Sequence, residues 1–289
     1  PGTNFPYLAA NIDFSGDSDL SAKTGTNGDD ARRMAGQVAG SAIVRVSNEL
    51  IGLVGASTPE LPNITSTGDL TVAGSTALIA DLAAAIQPAI DQLTAAGIDK
   101  IIVLAHMQQI SIEKALAQAL TDVDIIVAGG SNTRMGDASD SLFPSDSAFA
   151  ESYPFKTTDA EGKPTLIVNV DGDYKYLGRL VVGFDDAGHV IEGSLDENLN
   201  GAWASTPENV TLAGGIANEM VVQTRDALLT VIESQFENIV GHTDVFLEGR
   251  RSEVRTQETN LGNLTADSMV AYAKNCAEIS NVVALKNGG

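Results

Sequence analysis

The 289-residue chain has a single cysteine, Cys276, so no internal disulfide can form. A lone cysteine fits a cytosolic protein and equally a bacterial exported protein that dispenses with cystines. Basic residues are few: 17 Lys and Arg stand against 38 Asp and Glu, for a net charge of −21. That balance excludes a basic nucleic-acid surface and disfavours binding to anionic membrane. No run approaches the about 18 apolar residues of a membrane span. Neither a signal-peptide pattern nor an initiator Met opens the sequence, and Pro1 is expected to be a start inside a longer protein or a mature start. Aromatic residues are scarce at 5%, yet hydrophobic residues reach 43%, which is globular rather than disordered composition. The length favours two domains over one. The acidic excess reads first as a solubility device. If the substrate is nevertheless an anion, metal ions or clustered arginines must supply local positive charge.

The apolar pattern predicts an α/β chain. Phe5 to Ile12 reads as a strand and residues 13–41 as a polar loop. Two strands, 42–46 and 50–55, flank a turn at Ser47-Asn48-Glu49. Residues 76–97 carry Leu78, Ile79, Leu82, Ile86, Ile90 and Leu93 at helical spacing. A strand ending at His106, a helix over roughly 109–120 and a strand ending at Ala128 follow, and this βαβ rhythm predicts a partly parallel sheet. Beyond a long polar loop over 134–160, hairpin signals mark Pro164 to Val170, Tyr176 to Phe184 and His189 to Ile191. Residues 192–213 read as a linker, 218–237 as a helix, and Val245-Phe246-Leu247 as a short strand. A second helix, Leu261 to Ala273, has Asn260 available as its cap. Val282 to Leu285 reads as a buried strand.

Two neighbouring strand ends aim polar groups at one spot. Ile101-Ile102-Val103-Leu104 is the four-residue apolar run of a strand buried on both faces, and His106 lies at its carboxyl end, where α/β sheets usually hold ligands and metals. A neutral imidazole there suits a divalent metal; a histidine beside an apolar strand is also commonly structural. The following strand ends in Gly129-Gly130-Ser131-Asn132-Thr133, where Asn132 can offer a carbonyl oxygen or simply shape a turn. The densest basic spot is Gly249 to Leu264, where Arg250, Arg251 and Arg255 fall within six residues. If that stretch is extended, Arg251 and Arg255 share a face and could grip a phosphate or carboxylate. Surface ion pairs with Glu253 and Glu258 are the alternative. The final Asn287-Gly288-Gly289 could bring backbone to a ligand. No Walker loop, cysteine knuckle or Gly-x-Ser-x-Gly elbow is present.

Taken in order, these segments resemble the 5'-nucleotidase family of calcineurin-like metallophosphoesterases. Phe5 to Asn11 is similar to the strand after that family's Gly-Asn-His motif. Ile51-Gly52-Leu53-Val54-Gly55 with Thr58-Pro59-Glu60 resembles its next strand and turn. Leu104-Ala105-His106 resembles its metal-binding histidine segment, and Val127 to Thr133 its Gly-Gly-His-Ser-His or Gly-Gly-His-Ser-Gln turn. Arg255 with Glu258 to Leu264 resembles the opening of its C-terminal domain, and Ala284 to Gly289 the start of its Asn-Gly-Gly-Gly-Ile-Arg motif.

The resemblance implies a metallophosphatase-type β-sandwich flanked by helices, truncated at its N-terminus, followed by part of an α/β substrate-binding domain. The expected limits are 1–200 for the first domain, 201–237 for a linker and connecting helix, and 238–289 for the second. The implied activity is phosphate-monoester hydrolysis, 5'-nucleotidase or alkaline-phosphatase-like, through two divalent metal ions (Zn, Mn or Ca) that lower the pKa of a bridging water. By resemblance His106 and Asn132 are metal ligands, Arg251 and Arg255 hold the anionic end or ribose of a nucleotide, and Asn287, Gly288 and Gly289 contact the nucleoside. The implied partner is a small phosphate ester, not a nucleic-acid polymer, and the implied location is extracellular, cell-surface or periplasmic. Three departures accompany the likeness. The family's catalytic His-Asp motifs belong upstream of Phe5, so catalytic residues are expected outside this chain. Gly130 and Asn132 stand where two ligands belong. The last motif stops before its arginine. The competing reading is a non-catalytic surface or assembly protein on the same scaffold.

Overall fold

A computed structural model describes residues 2–236, 239, 241–254, 256–276 and 279–286. The chain divides into two compact units, residues 1–215 and 216–289.

The first unit is built on a seven-stranded sheet. In chain order its strands are β1 (Asp29–Asp30), β2 (Ser41–Val46), β3 (Glu49–Ser57), β4 (Ile101–His106), β5 (Ile125–Val127), β6 (Phe155–Thr158) and β7 (Pro164–Val168), and across the sheet they run β6-β7-β5-β4-β3-β2-β1. The central strands β7, β5, β4 and β3 are parallel. Parallel neighbours need crossovers, and two helices supply two of the three: α1 (Ile79–Ala95) between β3 and β4, α2 (Ile110–Ala117) between β4 and β5. The expected α/β class with a mostly parallel sheet is therefore observed. Strands β2 and β3 form the expected hairpin, its turn made by Ser47 at φ +53.

The core lies between the sheet and the two helices. Leu82, Ile86, Ile90 and Leu93 on α1 are fully buried against Val54, Ile101 and Val103, as the helical spacing requires. Leu78 differs: it precedes the helix and is exposed. Strand β4 is not buried on both faces. Ile101, Val103 and Ala105 face the helices, whereas Ile102, Leu104 and His106 alternate onto the other face, where Leu104 is 40% exposed. A hairpin of Gly183–Phe184 with Val190–Ile191 supplies Phe184 and Val190 to a cluster with Ile102, Ile125 and Leu166, but that cluster stops short of Leu104 and Val127.

Several local expectations change. Phe5 to Ile12 is only the two-residue strand Tyr7–Leu8 plus the start of Ile12–Asp13, because the buried Asn11 side chain takes over the bonding: its Nδ2 donates to the Ser57 and Ala73 carbonyls at 2.8 and 3.1 Å, and its Oδ1 accepts the Ser57 N–H at 2.9 Å. The loop 134–160 contains edge strand β6, whose antiparallel partner is β7. The stretch read as a linker holds strand Gly201–Ala204, paired with Tyr176–Arg179.

In the second unit, helices α3 (Glu219–Phe236) and α4 (Asn260–Cys276) match expectation. The cap of α4 is Thr259, whose Oγ1 accepts the Gly262 N–H at 3.2 Å. Asn260 instead joins the preceding chain, accepting from Glu248 N–H and donating to the Phe246 carbonyl, both at 2.8 Å. Val245 to Leu247 forms no strand, and Val282 to Leu285 is neither strand nor buried, with Val283 and Leu285 almost wholly exposed.

Asp124 fastens the amino ends of β4 and β5 through its Oδ2, which accepts the Ile101 N–H at 2.8 Å. Burial, helped by Asp99 and Asp122, pushes its pKa up from 3.8 to about 7 against the pull of the Ile101 N–H and Lys100. Between those values the folded chain keeps a proton that the unfolded chain has released, so this group's contribution falls as pH rises from about 4 to 7. Asp124→Asn is expected to remove that share of the slope in urea unfolding measured across the window; an unchanged slope contradicts it. In the core, Ile90→Ala is expected to cost about 2–5 kcal/mol, and Leu104→Ala about 1 kcal/mol or less because that side chain is half in water, both read by urea unfolding.

Candidate functional site

Parallel pairing sets His106 beside the glycine turn. Leu104 on β4 is in register with Val127 on β5, so two residues further on the chain brings His106 opposite Gly129. On the other side Ser57 is in register with His106, whose carbonyl accepts the Thr58 N–H at 3.0 Å. The imidazole is exposed and lies over the glycines. A Cβ at Gly129 would stand 3.2 Å from His106 Nδ1 and 3.1 Å from the Ala105 carbonyl oxygen. A Cβ at Gly130 would stand 2.6 Å from His106 Nε2 and closer still to Gln108 Oε1. Gly130 also has φ +82, and Gln108 sits in the same left-handed region at φ +69. Only glycine satisfies both demands at 130.

Asn132, exposed and at φ +51, packs elsewhere. Its Oδ1 lies 3.0 Å from where a Cβ of Gly172 would be. Each predicted ligand thus rests on its own glycine, and no hydrogen bond joins the two. Around Asn132 the turn is held by polar bonds. Asn169 Nδ2 donates to Ser131 Oγ at 3.0 Å, Ser131 Oγ and Thr133 Oγ1 share a 2.9 Å bond, and the Asp171 N–H donates to the Thr133 carbonyl at 3.2 Å. Beyond it Asp146 pairs with Arg134 at 2.8 Å and Lys175 at 3.3 Å, and Asp171 pairs with Lys175 at 3.0 Å. These cations are neutralised by their partners.

Beneath the imidazole lies a residue the pattern reading missed. Glu113 on α2 is fully buried, and its Oε1 accepts the Met107 N–H at 3.1 Å. Burial pushes its pKa up to about 6, opposed by its own N–H and those of Met107 and Gly129. Its Oε2 completes no hydrogen bond. The signal was available: Glu113, Leu116 and Ala117 share one helix face at spacings of three and four, so a carboxylate occupies an apolar position.

Among the described residues no three His, Cys, Asp or Glu side chains gather so as to hold a metal ion. One imidazole and one amide do not make up a two-metal centre, so the described residues do not fit the expected pair of ions. The arginine stretch is not extended: Arg251–Val254 is one turn of helix, and Arg250 pairs with Glu248 at 2.5 Å. Arg255, Asn287, Gly288 and Gly289 lie outside the described residues. Among the described residues no helix is long and apolar enough to cross a membrane.

No family model matches the chain. It is 31% identical to mouse 5'-nucleotidase over 266 residues, 92% of this chain and 40% of that protein. The bovine 5'-nucleotidase is 30% identical over 267 residues, again 92% of this chain and 41% of its own length. The solved 5'-nucleotidase precursor from Thermus thermophilus superposes with a TM-score of 0.67 at 27% identity, covering 93% of this chain and 46% of that structure. The chain belongs to the 5'-nucleotidase family. It spans about two fifths of the length of the family members it matches by sequence.

The glycine at 130 is the position where this family member can be probed without touching His106. Gly162 has φ +83 and no atom within 4 Å of a built Cβ, so Gly162→Ala should report the left-handed penalty alone, about 1 kcal/mol. Gly130→Ala is expected to cost measurably more in urea unfolding, and adding His106→Ala should recover part of the excess. Equal costs at 130 and 162 would show that the imidazole does not occupy that space.

Proposed function

We propose that the protein hydrolyses phosphate monoesters, with a nucleoside 5'-monophosphate as the substrate class. The support is membership in the 5'-nucleotidase family together with one observation: an exposed imidazole held at the carboxyl end of a parallel strand, over a glycine turn that leaves its outer side open. At such a position a ligand meets the ring nitrogen without displacing packed side chains. His106 is proposed as one nitrogen ligand to a divalent cation and Asn132 as a carbonyl donor; among the described residues no three His, Cys, Asp or Glu side chains gather to complete the set. Arg251 and Arg255 are proposed to hold the anionic end or ribose, and Asn287, Gly288 and Gly289 the nucleoside. The passage from the first domain to the second is proposed to lie within residues 201–237. An extracellular, cell-surface or periplasmic location goes with the same reading.

A second reading, a scaffold without catalysis, is favoured by Gly130, which offers no side chain, and by the lack of a three-donor group among the described residues.

The test is AMP hydrolysis and metal content of the intact gene product, compared with His106→Ala. Hydrolysis that falls at least about a hundredfold in the variant, with loss of bound metal, supports the first reading. An intact product that binds no manganese, zinc or calcium and cleaves neither AMP nor p-nitrophenyl phosphate establishes the second. The 289-residue chain alone is expected to match the reagent blank.

A further inference from the structure

We propose that Glu113 is the positioning residue that holds the His106 imidazole over the Gly129-Gly130 turn. This inference deepens the reading of His106 given above and rests on it for its functional meaning. The geometry itself is independent of any activity.

Glu113 sits where a carboxylate is costly. It has no exposed surface, and it shares its helix face with Leu116 and Ala117, both also without exposed surface. An apolar residue of similar size would fill that space without the desolvation penalty of a buried charge. What the carboxylate does there is accept the backbone N–H of one segment and lie close to that of another. The first is Met107, directly after the imidazole-bearing residue, at 3.1 Å. The second is Gly129, the first glycine of the turn, whose N–H approaches the same carboxylate. Those two segments are the ones whose relative position decides where the ring stands. His106 contacts Gly129 and Gly130 so closely that a single added carbon would collide at Gly130 and press on the ring at Gly129. Gln108, two residues further along the chain, is held at φ +69, a conformation a non-glycine residue adopts only when its surroundings enforce it. Clamping the Met107 N–H fixes the chain on the inner side of that reversal. One short helix thus braces the end of β4 from below, beside the glycine turn, while the ring above remains open to solvent.

A residue that only stabilised the loop would leave the ring unmoved once the fold was intact, so the ring is the readout. The chain has three histidines, and His106→Ala identifies the His106 imidazole resonances by their disappearance. In the 289-residue chain, Glu113→Ala is expected to shift the His106 ring signals and the Met107 and Gly129 amides, and to speed exchange of the Met107 amide at least tenfold. The His189 and His242 signals should stay in place. Glu113→Gln keeps an acceptor oxygen and should restore the His106 signals. Should the alanine variant fail to fold, Glu113→Asp, which withdraws the oxygens by one methylene, is read in its place with the same expectation. His106 signals that stay unchanged in folded Glu113→Ala or Glu113→Asp would overturn the proposal. In the intact gene product, Glu113→Ala is expected to lower kcat/KM for AMP about ten- to a hundredfold, with Glu113→Gln recovering most of it. If His106→Ala leaves hydrolysis untouched while Glu113→Ala still moves the ring, the phosphatase reading fails and the positioning role stands. If His106→Ala abolishes hydrolysis while Glu113→Ala moves nothing, the positioning role fails alone.

Discussion

The structure of the candidate site depends on one close approach: an imidazole ring laid on the backbone of two glycines. Everything near it follows from that contact. The parallel register of β4 and β5 brings His106 level with Gly129. Positive φ at Gly130 turns the chain away before a side chain could intrude. The ring reaches its place because neither glycine carries a Cβ, and a single methyl at either would press on it. The sheet below is ordinary α/β construction, with one face dry against α1 and α2 and the other face progressively wetter toward the carboxyl ends of the strands. That gradient makes the strand end a place for ligands, since the ring is anchored by buried backbone and faces water.

Most of the first unit was legible in the sequence, because its elements announce themselves by periodicity. The spacing of Leu82, Ile86, Ile90 and Leu93 identifies the buried stripe of α1, and the apolar runs of β4 and β5 identify strands of the parallel core. What periodicity cannot supply is the partner. The run Ile101 to Leu104 looks the same whether both faces are covered or one, so the exposure of Leu104 came only from the structure. Val282 to Leu285 reads as a core strand, yet an apolar run lacking a neighbouring strand forms no ladder. Strand Gly201–Ala204 was hidden for the converse reason. Gly-Ala-Trp-Ala has little strand propensity, and its pairing is set by Tyr176–Arg179 far back in the chain.

At the site, His106 and the glycine turn could be found from strand ends alone. Asn132 carried the right chemistry but not the right neighbour, since its side chain packs on the Asp171-Gly172 turn. Polar residues were the harder part. Glu113 and Asn11 both replace backbone partners in places where a ladder or cap is missing. Such substitutions follow no spacing rule; a polar residue at an apolar position is their only trace. The acidic balance of the chain remains compatible with an anionic substrate only if positive charge is supplied locally. In the first unit Arg134 and Lys175 do not supply it, because Asp146 and Asp171 already neutralise them.

The central claim is that the His106 ring rests on the Gly129-Gly130 backbone and keeps its outer side open. Nuclear Overhauser spectroscopy of the labelled chain measures this directly. The account predicts strong cross-peaks between the His106 ring protons and the α-protons of Gly130. A ring that instead shows its contacts to the side chain of Leu104, with none to either glycine, would contradict it.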